Sequence, residues 1–244
     1  MKTILYIHGM GGGEDSRIPS ILNDWFKANR PDVRVVVRTY DFNPDRAAEQ
    51  IDAWYEELKP DLVIGESMGA VHALALLTRH SSGAGAFPLL LVSPALNGPV
   101  FFRRIRHLVR LGWFHRFMNR WYKPREGRRQ KLDFSPENMA AWEPHRAAAL
   151  QAATLVHPTE PEHPGPEGAE VLSLRGMHLQ DQGVPAPIHA FFGRRDHYRR
   201  TGVVSLNAWR RRFGPGTWTL YDGTHFMEEE HLKALLIPAI LQRI

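Results

Sequence analysis

Ser67 stands in Gly65-Glu66-Ser67-Met68-Gly69, between one run of apolar residues and a second stretch that is apolar nearly all round. A G-x-S-x-G in that setting is a sharp strand-to-helix turn. The serine takes a strained backbone conformation that lifts its hydroxyl clear of the sheet, and the flanking glycines are needed because a Cβ there would strike the neighbouring strand and helix. Such a serine could attack an acyl carbon. The plainer alternative is a tight glycine turn with an idle serine, and the strand-to-helix context favours the nucleophile.

A serine hydroxyl attacks only when a base takes its proton, and the base must itself be oriented by a carboxylate. Thirteen histidines are available. Where G-x-S-x-G joins a strand to a helix, the base comes from the loop after the last strand. Asp222-Gly223-Thr224-His225-Phe226 sits there, ahead of the final helix, so His225 is the candidate. His72 falls in the buried helix after Ser67 and reads as a satisfied core histidine. His107, His115, His145 and His231 lie in helical stretches with no nucleophile in their sequence context.

For the acid, Asp196 in Gly193-Arg194-Arg195-Asp196 follows the preceding strand and gives the chain order Ser, Asp, His. Its structural alternative is an arginine-paired surface aspartate. Asp222 is the rival, but it shares a loop with His225 and reads as a shaper of that turn; the stretch Ser93-Pro94-Ala95-Leu96-Asn97 offers no carboxylate.

An acyl-transfer intermediate also needs N–H donors for its oxyanion. The amide of Met68 should supply one. The loop after the first strand, His8-Gly9-Met10-Gly11-Gly12-Gly13, should supply the other, from Met10 first and Gly11 next. Gly9 and its fellow glycines let the main chain approach a substrate, and His8 reads as fixing the loop. The same loop could be a dinucleotide turn, with Asp41 at the end of the second strand in its favour. A G-x-G-x-x-G from Gly9, however, finds Glu14 in place of the third glycine, facing a pyrophosphate.

The elements that must hold these residues alternate between strand and helix. Strand patterns cover Thr3 to Ile7, Val33 to Val37, Asp61 to Gly65, Pro88 to Val92, Ile188 to Phe192 and Trp218 to Tyr221. Between them, Ile18, Ile21, Leu22, Trp25 and Phe26 recur at helical spacing, as do Ala47, Ile51, Trp54, Tyr55 and Leu58 after the cap Asn43-Pro44. Helices are also expected over Met68 to Leu77, from about Gly202 to Phe213, and over Glu228 to Gln242 with a kink at Pro238. Repeated β-α units of this length imply an α/β fold, a mostly parallel sheet with helices on both faces.

The alternation breaks between the fourth and fifth strands, where the chain is far longer than one crossover helix requires. The expected organisation is a core of residues 1–97 and 187–244, with an inserted cap over 98–186. The cap holds a helix opened by Ser135-Pro136-Glu137 and a Pro-rich loop at about 156–168.

Composition supports one domain: 244 residues, 43% of them apolar, and seven tryptophans. The absence of cysteine excludes disulfides, thiolate catalysis and Cys-ligated zinc. No cofactor and no metal are called for. No apolar run approaches the roughly 18 residues of a membrane span, and no signal-peptide pattern opens the chain, so a soluble cytoplasmic protein is expected.

The net charge of +5 is concentrated. Residues 101 to 130 hold ten Lys or Arg and one acid, Glu126. So local a charge disfavours nucleic acid as partner. Phe101, Phe102, Ile105, Leu108 and Val109 fall on one helical arc with Arg103, Arg104, Arg106 and Arg110 opposite. After Gly112, Trp113, Phe114, Phe117, Met118 and Trp121 face another way. The arginines could solvate the cap, contact anionic lipid at the periphery, or guide anionic substrates.

Ile4-Leu5-Tyr6-Ile7-His8-Gly9, Gly65-Glu66-Ser67-Met68-Gly69, Gly193-Arg194-Arg195-Asp196 and Gly223-Thr224-His225-Phe226 together resemble the α/β-hydrolase superfamily, particularly its short bacterial esterases. The resemblance covers residues 1 to 97 and 187 to 244. It implies an eight-stranded pattern shortened at its N-terminus, a triad of Ser67, His225 and Asp196, and cofactor-free acyl transfer to water from a small-molecule ester or thioester. Serine at 67 argues against the superfamily's dehalogenases, which use aspartate there. Amidase or acyltransferase activity would use the same residues, and an idle binding protein is the alternative outside enzymes.

Overall fold

The computed structural model of the chain describes residues 1–81, 87–109, 111–113, 116–117, 128–156 and 187–244. Its centre is a six-stranded sheet made of β1 (Lys2–Ile7), β2 (Val33–Val37), β3 (Leu62–Glu66), β4 (Leu89–Val92), β5 (Ile188–Gly193) and β6 (Trp218–Tyr221). The order is β2-β1-β3-β4-β5-β6 and every pairing is parallel. Each strand falls within a residue or two of its expected place.

Alternation along β1 shows why the sheet needs cover on both sides. Ile4 and Tyr6 enter one core with Ile18, Leu22 and Phe26 of α1 (Arg17–Asn29) and with Leu232, Leu236 and Ile240 near the C-terminus. Leu5 and Ile7 enter the other. There they meet Ala47 and Ile51 of α2 (Pro44–Leu58), Leu74 of α3 (Gly69–His80), and Trp142, which is also buried. Asn43 caps α2 by accepting the amides of Asp45 and Arg46 at 3.1 Å, with Pro44 as first helical residue.

Between β4 and β5 the chain forms α4 (Gly98–Val109), α5 (Pro136–Gln151) and α6 (Ala153–Val156). Ser135 caps α5 through the Asn138 amide, as its sequence implies. Met139, Trp142 and Ala149 of α5 are buried in the same core as α3, so this part of the segment assigned to the cap helps build the domain. On α4, Phe102 is buried, whereas Phe101 and Leu108 of the same apolar arc are exposed. Most of the second basic-aromatic stretch, including Arg110, Phe114, Met118 and Trp121, and all but residue 156 of the Pro-rich loop lie outside the described residues.

Beyond β5 comes α7 (Leu206–Phe213), which starts later than expected because Ser205 caps it through the Ala208 amide. The last helical stretch is not one helix. It runs as α8 (Glu229–His231), a π-turn over Leu232–Leu236 and α9 (Ile237–Leu241). Pro238 has no N–H to give the preceding turn, and the chain widens into the π-turn just ahead of it. Among the described residues, no helix is long and apolar enough to cross a membrane.

The strand order positions the site. From β1 the chain moves outward to β2, then returns past β1 to β3 and continues the other way. The loops leaving β1 and β3 therefore open side by side at the carboxyl edge of the sheet, where open α/β sheets form their crevice.

Candidate active site

Ser67 occupies the turn from β3 to α3 with φ +51°, a left-handed conformation that costs a non-glycine residue free energy. Its surroundings hold it there. The Ser67 N–H donates to Val92 O at 2.9 Å, and Ser67 O accepts from the Ala95 N–H at 3.0 Å. A Cβ on Gly69 would stand 2.3 Å from Ile7 O and 2.4 Å from His8 O, so only glycine lets α3 start this close to β1. A Cβ on Gly9 would come within 3.1 Å of Ser67 Cβ, which places the oxyanion-loop candidate directly against the serine.

His225 Nε2 lies 3.0 Å from Ser67 Oγ, and His225 Nδ1 lies 2.8 Å from Asp196 Oδ2. His225 and Asp196 are both 3% exposed. A carboxylate beside Nδ1 keeps the proton on that nitrogen and leaves the Nε2 lone pair for the serine hydroxyl. Asp196 is fixed in turn, its Oδ1 accepting the Tyr198 N–H at 2.8 Å across the short 3₁₀ turn His197–Arg199. The Tyr198 ring meets the His225 ring edge to face at 4.6 Å.

The loop that carries His225 is held from several sides. Tyr221 O–H donates to Thr224 O at 3.0 Å, and the Glu228 carboxylate accepts the Thr224 N–H at 3.0 and 3.2 Å. The Arg17 guanidinium donates to the carbonyl oxygens of Phe226 and Met227. A Cβ on Gly193 would stand 2.3 Å from Thr224 O, so β5 and this loop can approach only because glycine is there.

The amides of Met10 and Met68 have no acceptor among the described residues. The Gly11 N–H, in contrast, donates to Gln130 Oε1 at 3.0 Å. His8 is fully buried, with Nδ1 2.8 Å from Gly9 O and its ring stacked on Tyr40 at 4.3 Å; the Tyr40 hydroxyl donates to His8 O at 2.6 Å. Burial lowers His8 to about 4 and raises Tyr40 well above the ordinary tyrosine range, so both are neutral.

Among the described residues, no other histidine hydrogen-bonds to Ser67. His72 is buried between Tyr40 and Trp142, at 5.1 and 4.8 Å, yet neither ring nitrogen has a partner among the described residues. The sequence expectation of a satisfied core histidine is thus corrected: the apolar and aromatic wall around it offers no acceptor. Desolvation pushes its pKa well down. His145 pairs with Asp45 at 2.8 Å, His107 is exposed on α4, and His231 lies 3.3 Å from Glu228. His115 lies outside the described residues.

Tyr198, Arg17, Glu228 and Gln130 had no signal in the sequence. Arg17 and Gln130 act through contacts that local spacing does not encode, 209 positions from Phe226 and 119 from Gly11, whereas Tyr198 and Glu228 act on near neighbours, two positions from Asp196 and four from Thr224. Among the described residues no group of three or more His, Asp or Glu side chains could hold a metal ion.

No protein-family model matches the chain. Solved structures do resemble it. A monoacylglycerol lipase from Paleococcus ferrophilus superposes with a TM-score of 0.55 at 12% identity, over 98% of this chain and 92% of that one. A haloalkane dehalogenase mutant from Agrobacterium tumefaciens C58 gives 0.51 at 13%, over 99% and 90%. An enol-lactonase from Burkholderia xenovorans LB400 gives 0.50 at 14%, over 99% and 90%. The chain has the α/β-hydrolase fold. These neighbours are named for different reactions, so the likeness carries the fold and the reaction must be argued from the site.

Proposed function

We propose that the protein is a serine hydrolase that cleaves carboxylic esters or thioesters of small-molecule substrates through an acyl-serine intermediate. The observation that carries this reading is the hydrogen-bonded series from Ser67 Oγ through His225 to Asp196, assembled from three loops at one edge of the sheet. Neighbours of the same fold named as a lipase and an enol-lactonase support the same direction.

In this mechanism His225 Nε2 takes the Ser67 proton as Oγ bonds to the acyl carbon. The carbonyl electron pair moves to oxygen, where the Met10 and Met68 amides donate to it. When the pair returns, the bond to the leaving alkoxide or thiolate breaks and His225 gives that group its proton. Water repeats the sequence on the acyl-serine and releases the acid. Asp196 holds the imidazole in the required tautomer and stabilises its cation without taking a proton itself.

A fluorophosphonate probe tests the reading, because only an activated serine reacts with it. Wild-type protein should be labelled and should hydrolyse p-nitrophenyl esters, with a rate that varies with acyl length. Ser67→Ala should lose both properties while keeping its circular dichroism and melting temperature. An unlabelled wild type, or a mutant with full turnover, would overturn it.

A further inference from the structure

Gln130 comes from the long segment between β4 and β5, yet the residue is 2% exposed and hydrogen-bonds to the loop that follows β1. Its Oε1 accepts the Gly11 N–H at 3.0 Å, its Nε2 donates to Asp41 O at 3.2 Å, and its backbone N–H donates to Gly12 O at 2.7 Å. One side chain thus ties the oxyanion-loop candidate to the loop that follows β2. Buried amides with both ends bonded are held to one geometry, since losing either bond strands a polar group away from water.

The residues before Gln130 grip the same loop. Arg129 forms an isolated antiparallel bridge with Gly13, and ion pairs join Arg128 to Glu14 at 2.8 Å and Arg129 to Asp15 at 3.0 Å. A Cβ on Gly13 would stand 2.1 Å from Arg128 O, so the strap lies directly on the loop backbone. The Thr39 hydroxyl donates to Arg128 O and accepts the Glu14 N–H, pinning strap and loop together.

The strap takes the Gly11 amide, and the loop itself and Thr39 take the next three. The N–H groups of Gly11, Gly12, Gly13 and Glu14 go to Gln130 Oε1, Gly9 O, Ser16 Oγ and Thr39 Oγ1 respectively. From 10 to 14, the Met10 amide alone keeps no acceptor among the described residues. Glycine-rich backbone has many conformations of similar energy, and an oxyanion donor works only when its geometry is set before the charge develops.

We propose that Gln130 is a positioning residue of the oxyanion hole: by taking the Gly11 N–H and fixing the loop, it leaves the Met10 N–H as the donor. The segment that leaves the core after β4 therefore returns as a working part of the active site, and its seating on residues 11–15 governs the acyl-transfer step. This inference rests on the serine hydrolase reading.

The test compares wild type, Gln130→Met and Thr39→Val by active-site titration, steady-state kinetics and inhibition by a trifluoromethyl ketone, whose adduct with Ser67 carries the oxyanion. Methionine matches the shape of glutamine without its polar groups. Since losing one oxyanion donor costs about 10²–10³ in kcat, misplacing one should lower kcat per titrated site in Gln130→Met by about 10- to 100-fold. KM should stay within about twofold, because ground-state binding is untouched.

Inhibitor affinity should weaken by the same factor as kcat, which a merely structural loss of folded enzyme would not produce. Thr39→Val, which loosens the strap from its edge, should show the same split at smaller amplitude and decides the matter if Gln130→Met does not fold. Unchanged kcat per site and unchanged inhibitor affinity in the folded variants, with wild type labelled by fluorophosphonate, would overturn this proposal alone. An unlabelled wild type would overturn the hydrolase reading with it.

Discussion

Asp196 reaches from the loop after β5 to His225 on the loop after β6, 2.8 Å from Oδ2 to Nδ1, with both side chains almost wholly removed from solvent. Asp222, only three positions from His225, is 70% exposed and pairs with Arg195 at 3.3 Å. The arginine-paired surface aspartate is therefore Asp222, and Asp196 is the interior one. Asp196→Asn should lower kcat by about 10³- to 10⁴-fold by setting the wrong imidazole tautomer, while Asp222→Asn should leave it within about threefold. Turnover of p-nitrophenyl butyrate per folded site is the measurement, and the opposite ranking would reassign the acid.

Gly69 makes a prediction about stability. A methyl group there would meet the carbonyl oxygens of Ile7, the last residue of β1, and His8, which follows it. Gly69→Ala should destabilise the fold by about 3 kcal/mol and displace Ser67 from His225. Urea unfolding and the fluorophosphonate rate should fall together. A variant with wild-type stability would show that α3 can retreat from β1.

Six strands and the Ser67, His225 and Asp196 juxtaposition were legible because each rests on a local signal. Val33 to Val37 is β-branched and short, Gly65 to Gly69 marks a turn by spacing alone, and Asp196 and His225 each follow a strand end. Gln130 was not legible, since 119 positions separate it from Gly11 and nothing in Arg128-Arg129-Gln130 announces a buried amide. His72 was half legible: helical apolar spacing gives its burial, whereas the lack of a partner among the described residues depends on Tyr40 and Trp142 arriving from elsewhere. The π-turn before Pro238 shows the remaining gap, because a proline announces a disturbed helix without saying which turn absorbs it.

Acid should weaken the fold through its buried histidines. Burial holds His8 and His189 at about 4 and pushes His72 down as well, whereas an unfolded chain protonates them near the ordinary 6.5. Between pH 6.5 and about 4 the unfolded state takes up protons that the folded state refuses, so stability present above 6.5 falls as the pH is lowered through that window. For His8 the loss is about 3 kcal/mol. Unfolding free energies measured in urea at pH 7.5 and pH 4.5 should show the decline. His72→Leu, which removes one titrating group and two ring nitrogens without a partner among the described residues, should shrink the difference; an equal decline in the variant would clear His72 of any part in it.

Arg17 should matter to catalysis although it touches no reacting atom. As the first residue of α1 it donates to the carbonyl oxygens of Phe226 and Met227, the latter at 2.7 Å. Met227 is buried with φ +46°, a left-handed geometry that costs a non-glycine residue about 1–2 kcal/mol. Left to itself the chain after His225 would relax out of that conformation and carry the imidazole with it. Glu228 holds the loop on the Thr224 side, so Arg17 supplies the restraint on the other. Displacing a catalytic group by about 1 Å can cost up to 10²-fold in rate, so Arg17→Met should lower kcat by about tenfold. KM should hold within about twofold, since no substrate contact is lost. Arg17→Lys, which keeps the charge but not the paired N–H donors, should fall between the two. If Arg17→Met kept wild-type kcat and fluorophosphonate reactivity, Glu228 and Tyr221 alone would suffice to hold His225 against Ser67.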